Sequence, residues 1–490
     1  MSFLVASPDR VPRVARLYQL ECNVGLTDMN AASPLPVTER LAEFAARTRL
    51  ADIPESARAA AKSAIADSIS VMLAGTGEGA VRLIRARAEA DTRPGAATVL
   101  GCGTRLSAPG AALANGAAAH ALDYDSISLI VSGFVASPVL YAVLALAEEE
   151  GSSGAALLEA FSVGWEVEAA IARGLGVAHY AEGWHSTATL GHFGAAVGAG
   201  KLLGFDTRKM RYVIGVAASE ASGLRTMIGK MTNPYHVAKA ARNGVVAARL
   251  VGSGFVAHDA VLETEWGFCN AFNGKGNYDL ARMVEGLGDP YDLDDPGLVI
   301  KIYPCCGLIH SALDGVLDLV CEHRLQAERV RRAVIRVHEL VPKTMDCGIP
   351  ETGYQAKFSA QFCVALALAE GAVRLSHFTD EQAQDPKLRA LAQRVEMQVH
   401  PELKGYDTFL EKEFSDVALT LDDGTILERR VWRINNRGSR GRPATRGELR
   451  DKFAECAARH RDPKAAMAAF DMLLDLERVD DVRTITALLR

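Results

Sequence analysis

The stretch that most constrains the fold is Glu182–Phe205, EGWHSTATLGHFGAAVGAGKLLGF, in which a polar turn leads into an almost entirely apolar segment. Glycine costs roughly 1 kcal/mol in a helix interior, so a helix with several glycines is expected to gain close contact with neighbouring helices. Apolar residues on every side predict that this helix is buried. The rest of the chain must therefore supply helices that pack around it.

The polar turn carries the first candidate for chemistry. Ser186 or Thr187 is predicted to cap the first helical turn, whose backbone N–H groups have no partner inside the helix. His185 and Thr187 would then lie at a helix N-terminus, where the dipole and the N–H groups favour an anion. The alternative is a histidine that is merely hydrogen-bonded in a turn.

Composition narrows the class of protein. The chain has 490 residues, which leads us to expect two domains, and its net charge of −6 gives no indication of a nucleic-acid or membrane surface. The sequence contains no signal peptide pattern and no apolar run long enough to span a bilayer. Nine scattered cysteines suit reduced thiols, so we expect a cytoplasmic protein.

The distribution of patterns predicts a mainly α fold. Small-residue helical patterns run to about residue 270, and alternating β patterns follow at 334–337, 395–403 and 417–431, the last as a hairpin around Asp423-Gly424. We predict a flexible arm at 1–28, a large all-helical domain at 29–295 and a smaller α+β lid domain at 296–435. The helices of 436–490 are expected to pack back on the helical domain.

Two clusters of polar residues interrupt the helical part. Asp123 and Asp125 follow a helix of small residues, where the helix dipole disfavours carboxylates, so a cation, a histidine or a substrate hydroxyl is expected to need them. The alternative is a solvated turn. Farther on, Arg225, Lys230 and His236 bring cationic groups next to an apolar core, and a small carboxylate ligand would satisfy them.

The motifs that are missing restrict the chemistry further. The sequence has no P-loop, no G-x-G-x-x-G after a strand, no His-Glu-x-x-His and no G-x-S-x-G. Histidine, lysine, arginine and carboxylate beside glycine-rich helices remain. That set suits acid–base chemistry at a carbon next to a carboxylate, and we expect no cofactor.

Five blocks in order resemble one family: HALDYDS, EGWHSTATLGHFGAAVGAGKLLG, SGLR…MTNPYHVAKAARNG, KIYPCCGLIH and GYQAKFSAQFCVALAL. Together they are similar to the MmgE/PrpD family, which includes 2-methylcitrate dehydratase, cis-aconitate decarboxylase and iminodisuccinate epimerase. The resemblance covers about Pro36 to the C-terminus. It implies a helical domain with an α+β lid, a homodimer, no metal and a site between the two domains.

Carried over residue by residue, the resemblance implies catalytic roles for Asp123, His185 and Lys301. Three places depart from the family pattern. Ser126-Ile127 stands where an acidic residue and a threonine are expected, Phe134 where a histidine is expected, and Asn233 where a lysine is expected. The sequence shows no counterpart of a lid tyrosine that the resemblance also implies. Lys230, three residues before Asn233, would replace the missing cation if this stretch were helical.

These features lead us to expect a metal-independent lyase, a dehydratase or decarboxylase, that abstracts a proton next to a carboxylate. His185 would be the acid–base group, Lys301 with Lys230 or Arg225 would hold carboxylates, and Asp123 would orient a histidine or a substrate hydroxyl. An isomerase or epimerase begins with the same abstraction and is the first alternative. The second is a catalytically silent paralogue that binds a metabolite.

Overall fold

The computed structural model describes residues 35–345, 347–405, 412–459 and 462–490. The predicted arm at 1–28 therefore lies outside the described residues. Residues 36–490 form one unit by their internal contacts. The predicted boundaries at 295/296 and 435/436, and the predicted homodimer, stay predictions.

Helices make up most of the described chain, which confirms the mainly α prediction. The first ten are α1 Val37–Arg47, α2 Glu55–Gly75, α3 Gly79–Asp91, α4 Ala108–His120, α5 Ala136–Glu150, α6 Gly154–Ala181, α7 Ser186–Thr189, α8 Gly191–Leu202, α9 Thr207–Glu220 and α10 Thr232–Gly252. The others are α11 Phe268–Asn273, α12 His310–His323, α13 Gly353–Ala356, α14 Ala360–Glu370, α15 Asp380–Ala383, α16 Pro386–Ala392, α17 Arg446–Ala457, α18 Pro463–Leu473 and α19 Arg483–Leu488.

The strands lie mostly in the C-terminal part. They are β1 Ala97–Thr98, β2 Arg105–Leu106, β3 Ile127–Ser128, β4 Leu298–Val299, β5 Val330–Val337, β6 Val395–Val399, β7 Phe414–Leu421 and β8 Ile426–Trp432. The last four form one sheet in the order β6-β5-β7-β8, in which only the β5–β6 pair is parallel. Helix α12 packs on β7 and β8, so one face of this sheet is covered.

The glycine-rich helix lies in the centre of the helical part, as the sequence predicts. Helix α8 packs against α5, α6, α9 and α10, and its residues from Gly191 to Lys201 are buried. A Cβ added at Gly194 would lie 2.2 Å from Glu168 Oε2, and one at Gly198 would lie 2.8 Å from a methyl carbon of Val143. Close approach of neighbouring helices is thus the reason for these glycines.

Short contacts between distant segments bring the polar loops together. Strand β3 pairs antiparallel with β4, so the chain after Asp123 runs beside the chain that leads to Lys301. From α17, the buried Lys452 donates hydrogen bonds to Tyr124 O (2.8 Å) and Lys301 O (2.9 Å) and forms an ion pair with Asp67. These contacts fix the two segments that carry the predicted catalytic aspartate and lysine.

Length and hydropathy together decide whether a helix can cross a membrane. Within the described residues, none of the helices combines the length and the apolar character that crossing a membrane requires.

Candidate active site

One cavity collects most of the predicted site residues. Five of the nine predicted residues line it: Asp123, Phe134, His185, Asn233 and Lys301. The other four, Thr187, Arg225, Lys230 and His236, do not line it. The structure therefore brings together residues that are up to 178 positions apart in the chain.

His185 lies at the end of a short turn before α7. Its backbone N–H donates to Gly223 O (3.1 Å), and its Nδ1 is 2.9 Å from Nδ1 of His236. Its side chain is buried but reaches the cavity. Burial, followed by the nearby His236, His120 and Arg225, lowers the pKa of His185 well below the ordinary value of 6.5. The imidazole is therefore neutral near pH 7 and suited to act as a base.

The contact with His236 restricts the protons that the pair can carry. Burial, then His120 and Lys239, lowers the pKa of His236 to about 4, so this ring is neutral as well. Of two neutral imidazoles whose Nδ1 atoms meet, one must donate and the other accept. If the proton is on Nδ1 of His185, its Nε2 keeps a lone pair. His236 thus contacts the candidate base and not the cavity, which differs from its predicted substrate-binding role.

Lys301 and Asp123 form the second element of the site. The Lys301 ammonium donates to the Asp123 carbonyl (2.8 Å) and lies 3.1 Å from Oδ1 of the same residue. Burial alone would lower the pKa of Lys301, but the Asp123 carboxylate and other nearby acidic groups outweigh it and the pKa is raised. The lysine is therefore a buried cation. Asp123 thus contacts Lys301 rather than a histidine, and its expected role towards a substrate hydroxyl stays a prediction.

His120, which lies near His185, is paired with the carboxylate of Asp125. His120 Nδ1 lies 3.0 Å from Asp125 Oδ1, and Ser137 Oγ donates to Oδ2 of the same carboxylate (3.0 Å). Burial would lower the pKa of His120, yet Asp125 more than compensates and raises it. Asp125 and Asp123 are both buried, so the alternative of a solvated turn is wrong. The His120 ring centroid is 6.3 Å from that of His185, and its charge helps to keep His185 neutral.

A hydrogen bond links the backbone of Phe134 to the side chain of Thr187. The Phe134 N–H donates to Thr187 Oγ1 (2.9 Å), so this hydroxyl holds the loop that carries the phenylalanine. The predicted cap is wrong, because His185 is the residue that precedes α7 and no side chain caps it. The Phe134 ring centroid lies 4.7 Å from Lys301 Nζ and 4.3 Å from the His120 ring. The aromatic ring of Phe134 thus contacts both Lys301 and His120.

The predicted cationic loop does not place Lys230 in the cavity. Arg225–Met227 is a single 3₁₀ turn, and α10 begins only at Thr232, so Lys230 is not on a helix with Asn233. Lys230 is exposed to solvent and does not line the cavity. Arg225 lies over the Tyr180 ring, 4.2 Å from its centroid, and contributes to the low pKa of His185. The proposal that Lys230 replaces a cation is therefore not supported.

Two important lining residues are missing from the sequence predictions. Arg433 follows β8, is buried and forms an ion pair of 2.5 Å with Glu413. Tyr180 lies near the end of α6. Neither residue belongs to a motif. The available signals were weak: an arginine directly after an alternating strand, and a tyrosine five residues before His185. Ser128, Ser132, Cys306 and Thr344 also line the cavity.

Both parts of the chain match sequence models of one protein family. A sequence model of the MmgE/PrpD N-terminal domain matches residues 39–281, and one of the C-terminal domain matches 303–477. The chain belongs to the MmgE/PrpD family. Membership agrees with the resemblance in the sequence and with a cavity lined from both matched segments, since His185 lies in the first and Arg433 in the second.

Individual members of the MmgE/PrpD family are similar over nearly the whole chain. Cis-aconitate decarboxylase of Aspergillus terreus is 28% identical over 486 residues, which are 94% of this chain and 97% of the relative. The mouse cis-aconitate decarboxylase is 26% identical over 454 residues, or 88% of each chain. A cis-aconitate decarboxylase-like protein, oryM of Aspergillus oryzae, is 25% identical over 481 residues, which are 92% of this chain and 97% of the relative.

Proposed function

We propose that this protein is a lyase, a decarboxylase or a dehydratase, that acts on a small carboxylic acid through proton transfer at a carbon next to a carboxylate. The observation that carries the proposal is the pair His185 and Lys301 in one buried cavity. The first is a neutral base and the second a fixed cation. Decarboxylase names among the relatives support the same reaction class.

Lys301 is the group that holds the substrate anion. A carboxylate bound at its ammonium accumulates negative charge when the neighbouring carbon loses a proton or a carboxyl group. A buried cation stabilises such charge more strongly than water does, because the surroundings have a low dielectric constant. Asp123 holds the ammonium in place through its carbonyl and its carboxylate.

His185 moves the proton. In a dehydration, Nε2 takes the proton from the carbon next to the bound carboxylate and the electron pair forms the double bond as the carbon–oxygen bond breaks. The leaving hydroxide takes the proton back from the imidazolium and departs as water. In a decarboxylation, the carbon–carboxyl bond breaks, its electron pair stays on carbon, carbon dioxide leaves, and a proton that the site takes up from water is delivered to that carbon. Nε2 of a neutral imidazole whose Nδ1 is fixed by His236 accepts a proton, and the imidazolium so formed can return it to the leaving hydroxide or to carbon.

Product analysis tests the reaction class. The protein is incubated with cis-aconitate, citrate, 2-methylcitrate and iminodisuccinate, and the products are followed by proton NMR together with released carbon dioxide. A decarboxylated or dehydrated product supports the proposal. A product with the same composition as its substrate would instead identify an isomerase.

The control separates the His185 chemistry from general damage to the fold. His185→Asn removes the base but keeps a small polar side chain, and His323→Asn changes an exposed histidine on α12. The proposal requires that only the first variant loses turnover. Equal turnover by His185→Asn and the unmodified protein would contradict it.

A further inference from the structure

The walls of the cavity are mainly apolar. Five large apolar side chains line it: Ile127, Phe134, Ile228, Leu308 and Phe358. We infer that, if the proposed lyase function holds, the cavity selects carboxylic acids that carry an apolar substituent in place of a third carboxylate. Phe134 and Asn233 are the residues that set this preference.

Lys301 has capacity for only one further anion. One of its three N–H donors is given to the Asp123 carbonyl, and its charge already faces Oδ1 of Asp123 at 3.1 Å. The ring of Phe134 lies 4.7 Å from Nζ and covers another side of the ammonium. A single substrate carboxylate completes the surroundings of this lysine.

The positive charge of Arg433 is largely balanced by its ion pair with Glu413. Its guanidinium lines the cavity while it binds Glu413 at 2.5 Å, and both side chains are buried. Among the described residues, the cations that line the cavity, Lys301 and Arg433, thus each face a carboxylate of the protein. A tricarboxylate would bring three more negative charges into the same low-dielectric space, and a buried charge without a counter-ion is strongly unfavourable.

Asn233 offers a neutral hydrogen-bonding group instead of a cation. Its side chain is buried against the cavity, and its Oδ1 has no hydrogen-bond partner among the described residues. An amide at this position can bind a hydroxyl or a carbonyl group of a ligand, but it cannot neutralise a carboxylate. The side chains of Phe134 and Asn233 are therefore both uncharged, and neither can neutralise a third carboxylate in the cavity.

A matched pair of acids tests the preference. Cis-aconitate is a maleate that carries a carboxymethyl substituent, and 2-isobutylmaleate has an isopropyl group of similar shape in place of that third carboxylate. Binding of each acid is measured by isothermal titration calorimetry, which does not require turnover. We expect 2-isobutylmaleate to bind roughly tenfold more tightly, because an apolar group gains contact where a charge would be buried unpaired.

Variants at Asn233 show whether this residue sets the ratio of the affinities for 2-isobutylmaleate and cis-aconitate. Asn233→Lys adds a cation inside the cavity and should shift the ratio towards cis-aconitate, whereas Thr232→Lys adds the same charge at the exposed neighbouring residue and should leave it unchanged. Asn233→Asp preserves the shape of the side chain and should increase the preference for 2-isobutylmaleate. If Asn233→Lys does not fold, Asn233→Asp still tests whether this residue sets the ratio.

The results separate this inference from the proposed function. Tighter binding of cis-aconitate by the unmodified protein, or no binding of either acid, would overturn the inference, as would a ratio that neither Asn233 variant changes. Preferential binding of 2-isobutylmaleate with no reaction of any acid would leave the selectivity standing and would refute the lyase proposal.

Discussion

The Nδ1 atoms of His185 and His236 lie 2.9 Å apart, so the two rings share a single hydrogen bond and therefore a single proton between them. For His185 to act as a base through Nε2, that proton must be on its own Nδ1, with His236 as the acceptor. His236 is then a positioning residue that selects the tautomer of the base.

Substitution of His236 tests this role through two variants of similar size. In His236→Asn the amide oxygen can still accept from Nδ1, whereas in His236→Leu no acceptor remains. We expect the leucine variant to lose roughly 10²-fold in kcat, with a much smaller change in KM, and the asparagine variant to recover a large part of the loss. Steady-state kinetics on the substrate found by product analysis checks this. Equal kcat values for the two variants would contradict a tautomer-selecting role.

The pH profile should reflect the low pKa of His185. Protonation removes the base, and burial together with the nearby His236, His120 and Arg225 lowers that pKa well below 6.5. Activity that depends on the neutral ring should persist as the pH falls through 6.5 and decline only below it. Arg225→Gln removes one of these charges, so we expect its acid limb to move to higher pH. An acid limb at or above about 6.5 in the unmodified protein would show that another group is the base.

The ion pair of Lys452 and Asp67 is expected to contribute to the free energy of unfolding. Both side chains are buried, and the lysine also binds Tyr124 O and Lys301 O. Lys452→Met leaves the buried Asp67 without a counter-ion and should cost about 3–5 kcal/mol in urea unfolding. Lys464→Met, at an exposed position, should change it by less than about 0.5 kcal/mol.

A double variant separates charge from packing in the same pair. Lys452→Met with Asp67→Asn removes both charges, so its loss should be smaller than the sum of the two single losses. Strict additivity of the single losses would indicate that the two side chains do not act as a pair.

Close packing around α8 gives a prediction that does not depend on the site. A Cβ at Gly244 of α10 would lie 2.6 Å from the backbone carbonyl carbon of Ala195, so Gly244→Ala should cost about 1–3 kcal/mol of unfolding free energy. Gly77→Ala is the matched control, because no atom lies within 4 Å of its added Cβ. Denaturant unfolding checks both, and a loss of the same size in the two variants would exclude helix contact as the cause.

Features that depend on local sequence were predictable. The buried helix α8 follows from its apolar residues, and the β7–β8 hairpin from the Asp423-Gly424 turn between two alternating runs. His185 was recognised because a polar turn before such a helix is unusual. In each case the information lies within about twenty adjacent residues.

Features that depend on distant partners were not predictable. Nothing near Asp123 indicates that its partner is Lys301, 178 positions away, and Arg433 has no local pattern at all. Lys230 would share a face with Asn233 only in a continuous helix, but it precedes α10, which begins at Thr232. Tertiary contacts decide these positions. The resemblance to a family indicated Lys301 as a site residue, but neither its contact with Asp123 nor the presence of Arg433.

The central claim is proton transfer by His185, and deuterium incorporation measures it most directly. The protein and its His185→Asn variant are incubated in D2O with the preferred acid, and proton NMR follows the carbon next to the carboxylate. The account predicts that deuterium appears at this carbon with the unmodified protein and is reduced by roughly 10²-fold or more in the variant. Equal incorporation by the two proteins would contradict it.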